Sequence, residues 1–463
     1  MVFSSLLFLF WFIPIFFAVY YICPEKWRNI VLFAGSIVFY AWGEPAYLIL
    51  IFISIIVNWL AGLGLARTEP GSARTPSEKI IFIATLVFDF GMLMVFKYTG
   101  FFVQNINAAL GTNIPDPGLT LPLGISFYTF QIASYVIDLY RKTIKAEKNP
   151  LTLGTYLVMF PQLIAGPIVV YSRVSDELHK REITREKISD GITTFILGLA
   201  SKVLIANTVG QLWDDLDAIG YESISMPLAW LGVVAFTLQI YFDFNGYSLM
   251  AIGLGKMLGF DIPANFNYPY ISRSLTEFWR RWHMTLSGWF RDYVYIPLGG
   301  NRKGKARTYV NLFIVWFLTG FWHGAGWNFI CWGLFFFIFL SMEKSFLAAF
   351  FDKHKVISRV YALVFIGLSW MIFAITDFGK LGIYATRLVT LQSLKGCSDA
   401  LYYARNYGVV IALGCLFSTP VPAGWFSKIR KRAAGIVVLM LLLFVCVCYL
   451  ADASYNPFLY FRF

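Results

Sequence analysis

Residues 46–66, AYLILIFISIIVNWLAGLGLA, run for twenty-one positions without a charged side chain. About 20 apolar residues in a helix cross ~30 Å of hydrocarbon, so this stretch alone reads as a membrane span. Similar windows lie at 3–21, 29–43, 80–98, 121–139, 191–210, 226–250, 309–341, 360–376, 403–418 and 433–450. Together they predict an all-α, polytopic membrane protein with about eleven spans. Window 309–341 is too long for one straight crossing.

Composition agrees. Hydrophobic residues make up 58% of the chain and charged residues 14%, with mean hydropathy +0.65. Soluble domains carry about 25% charge, so a soluble enzyme, a disordered chain and a disulfide-rich secreted scaffold are excluded together. The net charge of +12 fits Lys and Arg held in cytoplasmic loops. Lipids are therefore the expected surroundings, and no nucleic-acid partner is expected. The six cysteines (Cys23, Cys331, Cys397, Cys415, Cys446 and Cys448) lie mostly in apolar stretches without zinc-type spacing. They read as buried structural thiols, and no metal site is expected. Met1 to Tyr21 lacks a basic n-region and a small-residue cleavage site, so it reads as a retained first helix.

Loop charge sets orientation. Loops 22–28, 67–79 and 140–149 carry Lys26, Arg28, Arg67, Arg74, Lys79, Arg141, Lys142, Lys145 and Lys148. Loops 44–45, 99–120 and 211–225 carry no Lys or Arg, only acids such as Asp116, Asp214, Asp215 and Asp217. The N-terminus is thus placed outside. In an eleven-span count the basic loops 343–359 and 427–432 fall outside as well. Either 309–341 turns back on itself or the charge rule fails there.

We read the chain as one membrane-embedded domain, 1–463, with N-terminal helices over 1–150 and C-terminal helices over 342–463. Between them lie a catalytic region, 261–341, and two interrupted segments that read as re-entrant, 151–171 and 277–300. The first is broken by Pro161 and Gly166-Pro167. The second holds Arg280, Arg281, His283, Arg291 and Asp292. Such segments sit at membrane depth only where protein or a wet cavity surrounds them.

Of four histidines, His179 and His354 lie in charged loops, where a solvated side chain is the ordinary reading. His283 and His323 lie in apolar, Trp-rich surroundings, where a titratable group marks a functional site by default. Ser274 and Glu277 have capping-box spacing, predicting a helix from about Leu275. On one continuous helix Trp279 and Arg280 would share a face with His283. Region 261–309 carries eight Lys or Arg against three acids, which suits either an interfacial anchor or a site for a phosphorylated donor. Gly320, Gly324 and Gly326 around His323 each cost a helix about 1 kcal/mol relative to Ala, so something is expected to approach the backbone there. Trp322 and Trp327 flank the imidazole, which suits a general base for a hydroxyl acceptor. Asp243 reads either as an orienting polar group or as a carboxylate paired with Lys or Arg. No G-x-S-x-G elbow is present. No transporter-type internal repeat is visible either.

Several blocks together resemble the membrane-bound O-acyltransferase family, in its bacterial alginate O-acetyltransferase-type branch. They are LPLGISFYTFQIASYVIDLYR (121–141), FPQLIAGPI (160–168), LQIYFDFNGYS (238–248), NFNYPYISRSLTEFWRRWHMTLSGWFRDYVYIPLGGNR (265–302), FWHGAGWNFICWG (321–333) and NPFLYFRF (456–463). The resemblance implies helices around a central funnel or tunnel, with His323 as the catalytic histidine and His283 as a second active-site position. Beside these two histidines, our reading of the residues takes Trp279, Arg280, Arg281, Arg291, Trp322, Trp327, Asn328 and Asp243 as candidate substrate contacts. The resemblance further implies a multi-pass acyltransferase of the bacterial plasma membrane with no bound cofactor. The acetyl donor would be acetyl-CoA. An extracytoplasmic, serine-hydrolase-like acetyltransferase would be its partner in modifying a polysaccharide. The chain departs from the usual pattern at Val170, Leu249 and Phe335–Phe337. Acyl or D-alanyl transfer from a carrier-protein thioester is the sister alternative. A glycan or lipid flippase, or a scaffold for the extracytoplasmic enzyme, are alternatives of other classes.

Overall fold

A computed structural model describes residues 1–66, 73–164, 166–390, 398–452 and 459. Arg67, Ala165 and Cys397 lie outside the described residues, as does all of the 456–463 motif but Leu459. The described residues are helical, with no strand among them. Eight helices among them are long and apolar enough to cross a membrane: Pro45–Leu65, Pro76–Leu110, Arg185–Ile219, Met226–Leu258, Trp327–Leu347, Lys355–Ala374, Ser398–Phe417 and Ala433–Asp452. Three further expected windows hold shorter helices: Phe8–Ile22, which is apolar, Arg28–Ala41 and Ile125–Tyr140. The chain forms two compact units, Met1–Ile192 with Ala251–Pro263, and Thr193–Met250 with Ala264–Phe463.

In the first unit, Pro76–Leu110 starts with a full capping box, Thr75 and Glu78 each accepting from the other's backbone N–H. Asn58 donates to Asp89 Oδ1 at 2.9 Å, tying it to the neighbouring helix Pro45–Leu65. The broken segment 151–171 becomes a helix, Pro150–Val158, a bend at Met159 and a short turn, Phe160–Leu163. Its freed backbone groups find partners: Phe160 N–H donates to Ser36 Oγ, and Tyr156 OH donates to the Val169 carbonyl. Protein encloses this irregular backbone, the condition for holding it away from water.

In the second unit, a buried ion pair joins two long helices. Lys202 Nζ lies 2.5 Å from Asp243 Oδ1, both side chains about 3% exposed. Gly198 and Gly246 let the two backbones meet there; a Cβ on Gly198 would stand 2.6 Å from the Gly246 carbonyl oxygen.

Window 309–341 is a hairpin. Its first arm, Lys305–His323, ends at Gly324, and its second, Trp327–Met342, returns along it. A Cβ on Gly320 would lie 2.3 Å from the Phe329 carbonyl oxygen, and one on Gly333 2.4 Å from that of Trp316. What approaches the backbone at Gly320 is thus the other arm. Gly324 meets the ring of Phe329, 2.1 Å from its would-be Cβ. The turn decides between the two readings of 309–341: both hairpin ends lie on one side of it, so the window turns back on itself and is not one straight crossing.

Gly333→Ala is expected to force the arms apart at a cost of about 1–3 kcal/mol. Thermal unfolding in detergent would show the midpoint fall; an unchanged midpoint would mean the arms are not in contact. Elsewhere, apolar does not mean buried. Cys446 is buried, but Cys331, Cys415 and Cys448 lie on exposed helix faces, correcting the expectation of buried thiols. Those faces are apolar because they suit lipid.

Candidate active site

The site grows from the base of the hairpin. Glu343, buried at the end of the second arm, accepts from Leu275 N–H at 2.7 Å and from Thr276 N–H at 2.9 Å. Two orphan donors of the helix Leu275–Arg281 are thereby satisfied by a carboxylate, which the helix dipole favours. Ser274 Oγ accepts from Glu277 N–H at 3.0 Å, so the helix starts where the capping-box spacing predicts. Burial opposes ionisation of Glu277, but Arg273 N–H and the Arg281 guanidinium hold its carboxyl below the usual range.

The helix then stops earlier than one continuous face for Trp279, Arg280 and His283 requires. Trp282 is extended and His283 takes the left-handed conformation, φ 43° and ψ 52°, before a new helix, Met284–Phe290. Positive φ is uncommon outside Gly, so the surroundings must enforce it. They do so through Asn265, whose carbonyl accepts from Met284 N–H at 2.9 Å. Asn267 N–H donates to the Arg281 carbonyl at 2.9 Å. The turn that follows is tied to the hairpin base: Asn311 donates to the Gly300 carbonyl, and Lys344 to Asn301.

His283 is 1% exposed. Its Nδ1 lies 3.1 Å from Asn265 Oδ1, and its ring meets Phe244 edge-on at 4.7 Å between centroids. Trp322 packs against both histidines, its ring 6.1 Å from that of His283 and 4.9 Å from that of His323. His323 ends the first arm of the hairpin and packs edge-on against Trp332 at 4.9 Å and Phe373 at 5.3 Å. Trp279 continues the aromatic wall, meeting Trp316, Trp332 and Phe336. His283 Nε2 and the indole N–H groups of Trp279 and Trp332 are buried with no hydrogen-bond partner among the described residues. Leaving each such group unmatched costs roughly 1–3 kcal/mol, and a site for a polar guest explains why they are retained.

The remaining sequence candidates separate. Trp322 and Trp279 join this cluster. Asn328 is buried beside it and donates to the Phe373 carbonyl at 3.0 Å, bracing that wall. Trp327 is 53% exposed at the start of the second arm. Arg280 is exposed, Arg281 pairs with Glu277, and Arg291 is bound by Asp292. These arginines do not meet the histidines. Asp243 belongs to the Lys202 ion pair and also accepts from Leu459 N–H. Among the described residues no group of acidic, His or Cys side chains is arranged to hold a metal. Sequence reasoning misses Asn265, Glu343 and Phe373. Asn265 and Phe373 lie in different segments from the histidines they touch, and no local signal marks them.

The chain can be set beside known proteins. The model of the membrane-bound O-acyltransferase family matches residues 144–378. A Pseudomonas putida protein named "probable alginate O-acetylase" is 36% identical over 492 residues, covering all of both chains. The peptidoglycan O-acetyltransferase of Helicobacter pylori is 34% identical over 412 residues, 81% of this chain and 77% of that protein. A teichoic acid D-alanyltransferase of Bacillus subtilis is 31% identical over 253 residues, 52% of this chain and 62% of that one.

Proposed function

The chain belongs to the membrane-bound O-acyltransferase family, and from that premise we propose that it is an O-acetyltransferase acting on an exported or cell-surface polysaccharide. The acetyl group comes from a cytoplasmic donor, acetyl-CoA, and is passed across the bacterial plasma membrane. An extracytoplasmic, serine-hydrolase-like acetyltransferase receives it there. The observation that carries the reading is the packing of His283 and His323 on one indole, Trp322, in a buried aromatic cluster that leaves polar atoms unmatched. The names of the relatives support acetyl over D-alanyl as the group moved.

In the proposed chemistry a hydroxyl oxygen attacks the acetyl carbonyl carbon and the carbon–sulfur bond breaks. His323 takes the hydroxyl proton and returns it to the departing thiolate. Transient acetylation of His323 itself leads to the same products. Enclosure by Trp322, Trp332 and Phe373 keeps water from the thioester. The exposed side chains Arg302, Lys303, Lys305 and Arg307 lie at the base of the hairpin, suited to the phosphates of a nucleotide-bearing donor.

Purified protein supplied with acetyl-CoA and an acceptor hydroxyl is expected to release free CoA in step with acetyl ester. Turnover of a carrier-protein acyl thioester, with acetyl-CoA untouched, would replace the donor. Consumption of neither, together with uptake of glycan or lipid into proteoliposomes, would replace the enzyme by a flippase.

A further inference from the structure

We infer that Asn265 is a positioning residue that fixes the tautomer of His283, so that Nε2 of His283 meets the substrate as a hydrogen-bond acceptor. This rests on the acetyltransferase reading above, in which His283 lines the reacting site.

The argument begins with a backbone amide. Thr285 N–H reaches the Asn265 side-chain atom assigned as Oδ1 at 3.3 Å, and the Thr285 hydroxyl reaches the same atom at 2.9 Å. A main-chain N–H only donates, so the atom it faces is the amide oxygen and not the amide nitrogen. An amide oxygen only accepts. His283 Nδ1, 3.1 Å from that oxygen, therefore carries hydrogen. A neutral imidazole has one N–H, which leaves Nε2 with its lone pair. Nε2 is buried and has no partner among the described residues.

The backbone holds this arrangement independently of the Asn265 side chain. The Asn265 carbonyl caps Met284 N–H, and Asn267 N–H is paired with the Arg281 carbonyl. Phe244 and Trp322, both edge-on, keep the imidazole plane in place.

The consequence is a division of roles. A bare Nε2 accepts a hydrogen bond from an incoming hydroxyl and orients its oxygen. It cannot donate to the oxyanion that forms on the acetyl carbon. That donation falls to groups that carry hydrogen and lack a partner, the indole N–H groups of Trp279 and Trp332. The elements packed on His283 bring few other charges. The helix Met226–Leu258 presents Phe244, whose neighbour Asp243 is engaged by Lys202. The hairpin presents Trp322, with His323 as the adjacent titratable group.

The test reads the tautomer first, without substrate. In detergent-solubilised full-length protein labelled with 15N-histidine, His283 is identified by the signals lost in His283→Gln. Protonated Nδ1 with bare Nε2 is expected in the wild type; the opposite tautomer overturns the inference whether or not the protein transfers acetyl. Asn265→Leu is expected to lose that preference and to lower kcat at least ~10-fold, as disturbed supporting groups do, with KM for acetyl-CoA within about twofold. Asn265→Asp keeps the acceptor and the cap but favours imidazolium, so the acid limb of kcat/KM should move to higher pH by about one unit or more. A limb that stays in place overturns the inference, since a carboxylate in contact with Nδ1 of a histidine that meets the substrate would move it. Absence of acetyl transfer in the wild type would count against the proposed function and leave the tautomer reading standing.

Discussion

Replacing His323 by Ala is expected to lower acetyl transfer by roughly 10²- to 10⁴-fold, the contribution of a well-placed general base. Folding should survive. The side chain ends a helix and stands edge-on to Trp322, Trp332 and Phe373, and Trp332 still packs on Phe373 when the imidazole is gone. The measurement is CoA release per molecule of purified protein, read beside the thermal midpoint in detergent. An unmoved midpoint with lost turnover supports the assigned role. Wild-type turnover in the variant would remove it and would favour a scaffold. His283→Ala should reduce turnover by a smaller factor, because an orienting acceptor contributes less than the group that moves the proton.

The second large effect concerns stability. Lys202→Met leaves Asp243 buried without its cation and is expected to cost about 3–5 kcal/mol. Adding Asp243→Asn should restore most of that loss, since the amide oxygen still accepts from Leu459 N–H and no lone charge remains. Unfolding midpoints of the single and double variants decide the matter. Equal destabilisation by both would mean that Lys202 packs rather than pairs. If the double variant still transfers acetyl, Asp243 is a structural carboxylate and not a substrate contact.

Much of this molecule is legible in its sequence, and the illegible parts share a cause. Apolar length alone gives the membrane helices, and Ser274 with Glu277 gives the start of a short helix. The long window 309–341 shows no break by hydropathy. Its turn is written in Gly324 and Gly326, and in the Gly320 and Gly333 contacts, which acquire meaning only when the arms meet. The left-handed turn at His283 has no Gly or Pro to announce it. It is imposed by Asn265, from eighteen residues earlier in the chain, and so the shared helical face for Trp279, Arg280 and His283 fails. Asp243 is the converse case. The sequence leaves an orienting group and an ion-paired carboxylate both open, and only the structure supplies the lysine, from forty-one residues earlier.

The cap that Glu343 places on the helix Leu275–Arg281 acts as a ruler. One end of that helix is fixed to the foot of the hairpin, and a set number of residues carries His283 to its station. Adding one residue between Leu275 and Arg281 would turn the helical residues after it by about 100°, whereas the exposed stretch 112–119 has no such register to keep. Exchange between relatives is bound by the same gauge. Residues 265–344 interlock through Asn265, Asn311, Glu343 and Lys344, so a chimera that divides them would separate a histidine from its measure. Exchanged whole, they form a cassette.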